Sequence, residues 1–307
     1  MPGLAAKLID VSVTAYRTPH ALSFDIEDWF HIVELRASED PAKWNEFPSI
    51  VERCTREIIE LLGEFDVRAT FFILGWVAER YPGVVRMIRD EGHEIGTHSF
   101  WHRKVYELTP DEFCADLLDS IEVLEQQDGV KVRGFRAPSF SIRPGTEWAF
   151  DVIKKVGLEY DASLFPAARA HGGYPCELGP CVVSGAEGAR VPELPMSVTS
   201  WGPARYCYSG GGYFRLLPRW LIERGIRSTE KAGRPTVVYL HPRDFATDCP
   251  TIPMPFVRRF KCYVGRKTTR EKLRHLLKNY RFGTCLEVLR AHALVGAEAQ
   301  AVESSKP

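Results

Sequence analysis

The sequence contains no CxxC pair, no excess charge of either sign and no long apolar run. Its eight cysteines, Cys54, Cys114, Cys176, Cys181, Cys207, Cys249, Cys262 and Cys285, are scattered. They fit neither a disulfide framework nor a thiolate zinc site, and reduced thiols suit a reducing compartment. Forty Lys and Arg balance 40 Asp and Glu over 307 residues, with a pI near 7.1. That balance excludes binding to nucleic acid or an anionic surface through bulk charge. Nothing approaches the roughly 18 consecutive apolar residues of a membrane helix. Residues 1–20 are broken by Lys7, Asp10, Arg17 and two prolines, so neither a signal peptide nor an anchor is expected.

What is present is apolar material for a core, 45% of the chain, at a length of one large domain or one and a half. The first half alternates. Strand-like runs at Ala21 to Asp25, Ala69 to Leu74, His93 to Thr97, Val132 to Arg136 and Leu158 to Ala162 are separated by helical patterns. Those patterns cover Ser49 to Phe65, Trp76 to Asp90, Pro110 to Gln127 and Thr146 to Val156. Thr109 and Glu112 have capping-box spacing, and Thr236 to Leu240 is a later strand. Such alternation predicts a parallel sheet covered by helices, closed as a βα barrel. Between Phe165 and Pro218 the texture turns to Gly, Pro and aromatics, including SGGGYF, and irregular short-stranded structure is expected. After Pro250 the chain is proline-rich and then basic; Leu273, Leu276, Leu277 and Tyr280 recur at helical spacing, so a helix docking by one apolar face is expected. Its Lys and Arg face solvent or meet an anionic substrate.

Chemistry-bearing residues gather at the ends of these strands. His98 and His102 follow the third strand, and a helical turn there would point both imidazoles at one ion. Asp25, Glu27 and Asp28 end the first strand. A parallel barrel collects its strand C-termini on one face, so the carboxylates and histidines converge. Two imidazoles and a carboxylate on a divalent metal leave a position for water, and a further carboxylate can act as general base. Arg136 ends another strand, where its guanidinium fork could orient that base. His241 follows the strand Thr236 to Leu240 and could protonate a leaving nitrogen.

The ordered motifs SFDIED, HSFWH, GFRAPSF, YDASLF and LHPRD resemble the NodB-type polysaccharide deacetylases, carbohydrate esterase family 4. The FD-hydrophobic-EDWF start and the C-terminal extension resemble the branch associated with exosortase and exopolysaccharide clusters. The resemblance implies a deformed (β/α) barrel of about seven strands over residues 20–250, with the Gly/Pro-rich insertion at 165–218. A basic helical extension at 251–295 and a frayed tail at 296–307 would follow. It further implies a metal-dependent N-deacetylase of N-acetylated polysaccharide or oligosaccharide, with Asp25 as base, Arg136 holding it and His241 as acid. His98 and His102 would ligate the metal together with Asp28 or Glu27, Asp28 being favoured by its shorter side chain. Zinc is the expected ion, with cobalt, nickel or iron(II) compatible. Asp161 would help shape the site, and Trp29, Phe140, Trp201 and Tyr213 are candidates for stacking on pyranose faces.

Two other readings compete: an allantoinase-like amidase of small molecules, and a non-catalytic polysaccharide-binding module. No nucleic-acid partner is expected. The expected location is the cytoplasm or the inner face of the membrane.

Overall fold

A computed structural model describes residues 18–32, 40–168, 172–201 and 204–296; residues 1–17 and the expected frayed tail from 297 on lie outside the described residues. The first half is built from βα units. β1 (His20–Ile26) leads through α1 (Val51–Gly63) to β2 (Thr70–Ile73), then through α2 (Gly75–Arg80) and α3 (Pro82–Asp90) to β3 (Glu94–Thr97). α4 (Pro110–Glu125), β4 (Gly134–Phe135), α5 (Trp148–Lys155) and β5 (Tyr160–Asp161) follow. The second half contributes β6 (Cys181–Ser184), β7 (Arg190–Glu193), β8 (Val198–Trp201), β9 (Ala204–Cys207), α6 (Gly211–Leu216), α7 (Arg219–Lys231) and β10 (Val237–Leu240). It ends in α8 (Phe256–Tyr263), α9 (Arg266–Asn279), β11 (Phe282–Gly283) and α10 (Cys285–Ala291).

The main sheet runs β10-β1-β2-β3-β4-β5-β7-β6. Neighbours from β10 to β7 pair in parallel, which makes seven parallel strands, and β6 joins the edge antiparallel. This curled parallel sheet clothed by helices is the deformed (β/α) barrel expected. β1 reads as seven buried residues, HALSFDI, because both of its faces are covered. Phe24 packs on Phe71 of β2 with ring centroids 5.1 Å apart, and α1 lays Cys54, Ile58, Leu61 and Leu62 on the same core.

Three expectations need correction. The helical stretch from Trp76 to Asp90 is two helices, because Tyr81 leaves the helical region (φ −129°, ψ 64°) and Pro82, which has no N–H to donate, restarts the chain as the first residue of α3. The Gly/Pro-rich segment is more than an insertion: its β7 sits beside β5, pairing Glu193 with Asp161, and completes the parallel set. The C-terminal segment does more than pack a helix on the barrel, since β11 pairs with the start of β1, His20 with Phe282 and Ala21 with Gly283. The capping box of α4 is present, with the Glu112 N–H donated to Thr109 Oγ1 at 3.3 Å and the Thr109 N–H to Glu112 Oε2 at 2.8 Å. Leu273, Leu276 and Leu277 are buried on α9.

Two histidines far from the strand C-termini are held in the fold by accepting backbone N–H groups. His20 Nδ1 accepts from Thr236 at 3.0 Å and His93 Nδ1 from Ala69 at 3.4 Å. Burial lowers each imidazole to about 4. The folded form therefore binds fewer protons than the unfolded chain between about pH 6.5 and 4. Stability should be full above pH 6.5 and fall towards pH 4, at up to about 1.4 kcal/mol per pH unit for each histidine. Urea unfolding at pH 7, 6 and 5 should show this slope, and His20→Gln with His93→Gln should make it shallower, leaving the part due to other buried histidines. An unchanged slope in the double variant would contradict the assignment.

Candidate metal centre and active-site cavity

Parallel pairing brings four strand ends together. Asp25 lies in register with Phe72 of β2, the His98 N–H donates to the Ile73 carbonyl at 3.0 Å, and the Arg136 N–H to the Thr97 carbonyl at 3.1 Å. His241 follows β10 on the other side of β1. These side chains meet in a cavity of about 290 Å³, lined by Asp25, Glu27, His98, His102, Phe140 and His241 among others.

Asp25 and Arg136 form a buried ion pair, Oδ1 to Nη1 at 2.8 Å. The arginine is fixed from behind: Nη1 also donates to Ser23 Oγ at 2.8 Å, Nε donates to the Ala162 carbonyl at 3.1 Å, and its guanidinium lies 4.3 Å from the Phe72 ring centroid. Burial alone would raise the Asp25 carboxyl, but Arg136, His98 and His241 outweigh it and hold it below the ordinary carboxylate range. Glu27 is more strongly depressed; burial opposes ionisation, and His102 and Arg243 overcome it. Its Oε1 accepts from Arg243 Nη1 at 2.5 Å, and Oε2 meets His102 Nε2.

Glu27, His98 and His102 are the one group among the described residues whose donor atoms could hold a metal, all lying within 4.8 Å of one another. Their chemistry fits. His98 Nδ1 sits 2.7 Å from the Arg136 carbonyl, which as an acceptor requires the proton on Nδ1 and frees Nε2 as a ligand. Burial lowers the His98 imidazole to about 4, so it is neutral when a metal competes for it.

The residue favoured for the third ligand position, Asp28, turns away from this cluster. Its Oδ1 accepts the Trp29 N–H at 2.9 Å, and its Oδ2 accepts from the Ser49 hydroxyl and from the Ile50 N–H at 3.2 Å. It caps the turn Trp29–His31 and ties the end of β1 to the start of α1. Alternation along the chain separates the two acids: the longer Glu27 faces the histidines while Asp28 is consumed by backbone donors. A helical turn is also absent at 98–102. The loop is shaped by left-handed Ser99 (φ 67°) and His102 (φ 55°), and Asp116 of α4 accepts the N–H groups of Phe100 at 2.7 Å and Trp101 at 3.3 Å. Ser139 and Phe140 are left-handed as well, so four of the six such non-glycine residues among those described border the site.

The aromatic and acidic candidates divide. Phe140 lines the cavity. Trp29 is buried, packed on Phe30 and Phe47, and its indole N–H donates to the Pro48 carbonyl at 2.8 Å, which makes it a core residue. Asp161 is fully buried and does not line the cavity; it accepts from Ser163 Oγ at 2.5 Å, and that hydroxyl accepts the Ala137 N–H at 2.7 Å, so it supports the loop carrying Arg136. Tyr213 is exposed on α6 outside the cavity lining. The side chain of Trp201 lies outside the described part of the structure.

Several residues were not predicted. Asp244 Oδ2 accepts from His241 Nδ1 at 3.0 Å, and Asp244 is itself paired with buried Arg215, Nε to Oδ1 at 3.1 Å. Arg243 neutralises Glu27. Both lie in the LHPRD motif, where a charged pair next to a buried strand is the signal. Gly211, Gly212 and residues 258, 261 and 262 of α8 also wall the cavity, a contribution that carries no local sequence signal.

Residues 42–160 match the family model for polysaccharide deacetylase, and residues 162–290 match a domain of unknown function, DUF3473. The chain carries a polysaccharide deacetylase domain. Neither model covers β1, where Asp25 and Glu27 sit. The chain is similar to a peptidoglycan-N-acetylglucosamine deacetylase of Bacillus cereus, 34% identical over 119 residues, which are 35% of this chain and 43% of that protein. The match thus spans less than half of that relative. Among solved structures, a Mycobacterium smegmatis protein named as a candidate polysaccharide deacetylase is similar at 22% identity, with a TM-score of 0.59, over 94% of this chain and 91% of the other. A carbohydrate esterase family 4 pseudoenzyme of Bacillus anthracis is similar at 17% identity, with a TM-score of 0.50, over 89% of this chain and 66% of the other. The fold is therefore shared by proteins of different catalytic standing, and the side chains of the deacetylase domain and β1 must carry any claim about chemistry.

The two acids of β1 should separate by experiment. Glu27→Ala should abolish stoichiometric binding of a divalent ion, measured by equilibrium dialysis and elemental analysis, and should lower the melting temperature because Arg243 loses its partner. Asp28→Ala should keep the ion and lose roughly 1–2 kcal/mol of stability through its orphaned N–H donors. The opposite pattern would return Asp28 to the metal.

Proposed function

We propose that this protein is a metal-dependent hydrolase that removes N-acetyl groups from N-acetylhexosamine units of an exopolysaccharide or its precursor, releasing acetate. One arrangement supports it: a carboxylate held by an arginine, a three-donor cluster, and a histidine whose Nε2 lies 3.8 Å from both Asp25 Oδ2 and Glu27 Oε1, all in one cavity. The motif resemblance, with its FD-hydrophobic-EDWF start, favours the exopolysaccharide branch. Among the described residues no helix is long and apolar enough to cross a membrane; we place the enzyme in the cytoplasm or at the inner face of the membrane.

Glu27, His98 and His102 would hold a divalent ion, zinc by preference, and such an ion would supply Lewis acidity to the acetamide carbonyl and to a hydrolytic water. Asp25 takes the proton of that water. Its Oδ1 is committed to Arg136, so Oδ2, the oxygen facing His241, is the accepting atom. Arg136 keeps the carboxyl ionised and in one rotamer, which readies it as a base. His241 delivers a proton from Nε2 to the departing nitrogen. Asp244, kept ionised mainly by Arg215 and His241 against the effect of burial, holds Nδ1–H and stabilises the imidazolium that donates. Phe140 offers an apolar wall to the sugar face. A volume near 290 Å³ suits one sugar unit with its acetamido group.

The purified protein should hold about one divalent ion per chain and release acetate from N-acetylglucosamine oligomers. His98→Ala should lose both. Asp25→Asn should keep the ion and lower kcat by roughly 10²–10⁴-fold, the usual worth of a general base. Hydrolysis of cyclic ureides in place of the oligomers would favour the amidase reading. A protein that holds no ion and is not activated by any divalent metal would refute the mechanism.

A further inference from the structure

Of the eight large apolar side chains exposed among the described residues, five lie on α6, α7 and α8. Tyr213 and Leu216, three apart on α6, are 48% and 49% exposed; Phe256 and Phe260, four apart on α8, are 82% and 48% exposed, and Trp220 near the start of α7 is 57% exposed. Single exposed apolar residues are ordinary, but a cluster marks a contact surface. α6 and α8 are fastened together. The Arg215 guanidinium donates to the carbonyl of Lys261 at 2.9 Å and to that of Cys262, and a Cβ built on Gly212 would come within 3.3 Å of the Lys261 carbonyl.

The charge on α6, the first turn of α7 and α8 has one sign; the nearest acid along the chain is Glu223 of the next turn of α7, 3.8 Å from Arg219. In a chain with equal numbers of acids and bases, residues 204–222 and 250–270 contain no Asp or Glu. Arg259 and Lys261 are exposed between and beside the two phenylalanines, and Arg219 is exposed next to Trp220. Aromatic side chains interleaved with Lys and Arg, on short helices lying at the surface, combine the two attractions of an interfacial membrane contact: burial of rings at the headgroup boundary and Coulomb attraction to anionic lipid. The overall neutrality of the chain hides this patch because the acids are elsewhere.

We propose that the face formed by α6, the start of α7 and α8 docks on an anionic lipid bilayer. The contact stands apart from the deacetylase reading. It has a geometric consequence for that reading, because Gly211, Gly212 and residues 258, 261 and 262 of the same two helices wall the cavity. Docking puts the cavity beside the bilayer, where a saccharide carried on a membrane lipid would reach it.

The test is co-sedimentation of the full chain with vesicles of phosphatidylcholine alone and with about one-third phosphatidylglycerol. Each basic residue at an anionic surface raises partitioning about fivefold. The protein should bind the anionic vesicles at least about tenfold more strongly than the neutral ones, and salt at about 0.5 M should remove the difference. Phe256→Ser with Phe260→Ser, and separately Arg219→Ser with Arg259→Ser, should each reduce binding about tenfold or more, with circular dichroism and melting temperature unchanged. Equal binding to both vesicles, or full binding by either double variant, would overturn the proposal. So would absence of vesicle binding with a concentration-dependent dimer that the phenylalanine variant abolishes, which would assign the face to a second copy of the chain. Acetate release from soluble oligomers is measured alongside: its loss would count against the proposed function and leave the docking result standing.

Discussion

Two almost wholly buried carboxylates at the end of β1 are the constraint around which the rest of the site is arranged. Removing Asp25 and Glu27 from water would cost several kcal/mol each if they were left unpaired. Each is matched by an arginine from a distant part of the chain, Arg136 behind β4 and Arg243 behind β10. Those arginines can arrive only because β4 and β10 run parallel to β1 in one curled sheet, so that all three C-termini open on the same side. The histidines occupy the remaining space around Glu27. Sheet curvature, strand order and ion pairing are in this sense one solution to one problem, the accommodation of buried charge.

The alternation of strands and helices, and the gathering of reactive residues at strand ends, are legible in the sequence because hydrophobic periodicity reports burial directly. Asp25, His98, His102, Arg136 and His241 all fall just after or at the end of apolar runs, and all line or adjoin one cavity. The HxxxH spacing points to a pair that the structure does bring together, but for a reason that does not hold: a loop pinned by Asp116, and no helix, directs the rings. The choice between Glu27 and Asp28 is not legible. It depends on which acid the backbone N–H groups of Trp29 and Ile50 capture, and Ile50 is remote in sequence. Trp29 illustrates a further limit, since an aromatic beside an acidic motif reads equally as a sugar platform or as core; Phe30, Phe47 and the Pro48 carbonyl decide for core.

The second half of the chain has the wider consequence. Its texture of glycine, proline and basic residues suggests accessory structure, yet it supplies β7 to the parallel set, β11 to the start of β1 and one wall of the cavity. Arg215 links these roles: it braces Asp244, which orients His241, and it binds α8 through the carbonyls of Lys261 and Cys262. A surface event at α8 is therefore linked through Arg215 and Asp244 to the proposed general acid.

The central claim is that Glu27, His98 and His102 hold a divalent metal beside an arginine-held Asp25. The most direct measurement is anomalous diffraction at the metal's absorption edge from crystals grown with zinc. The account predicts a single peak within about 2.0–2.2 Å of Glu27 Oε2, His98 Nε2 and His102 Nε2, the usual zinc bond lengths. Asp25 should remain on Arg136 and Asp28 on Ser49. A peak bonded to Asp28, or none in this cavity, would contradict it.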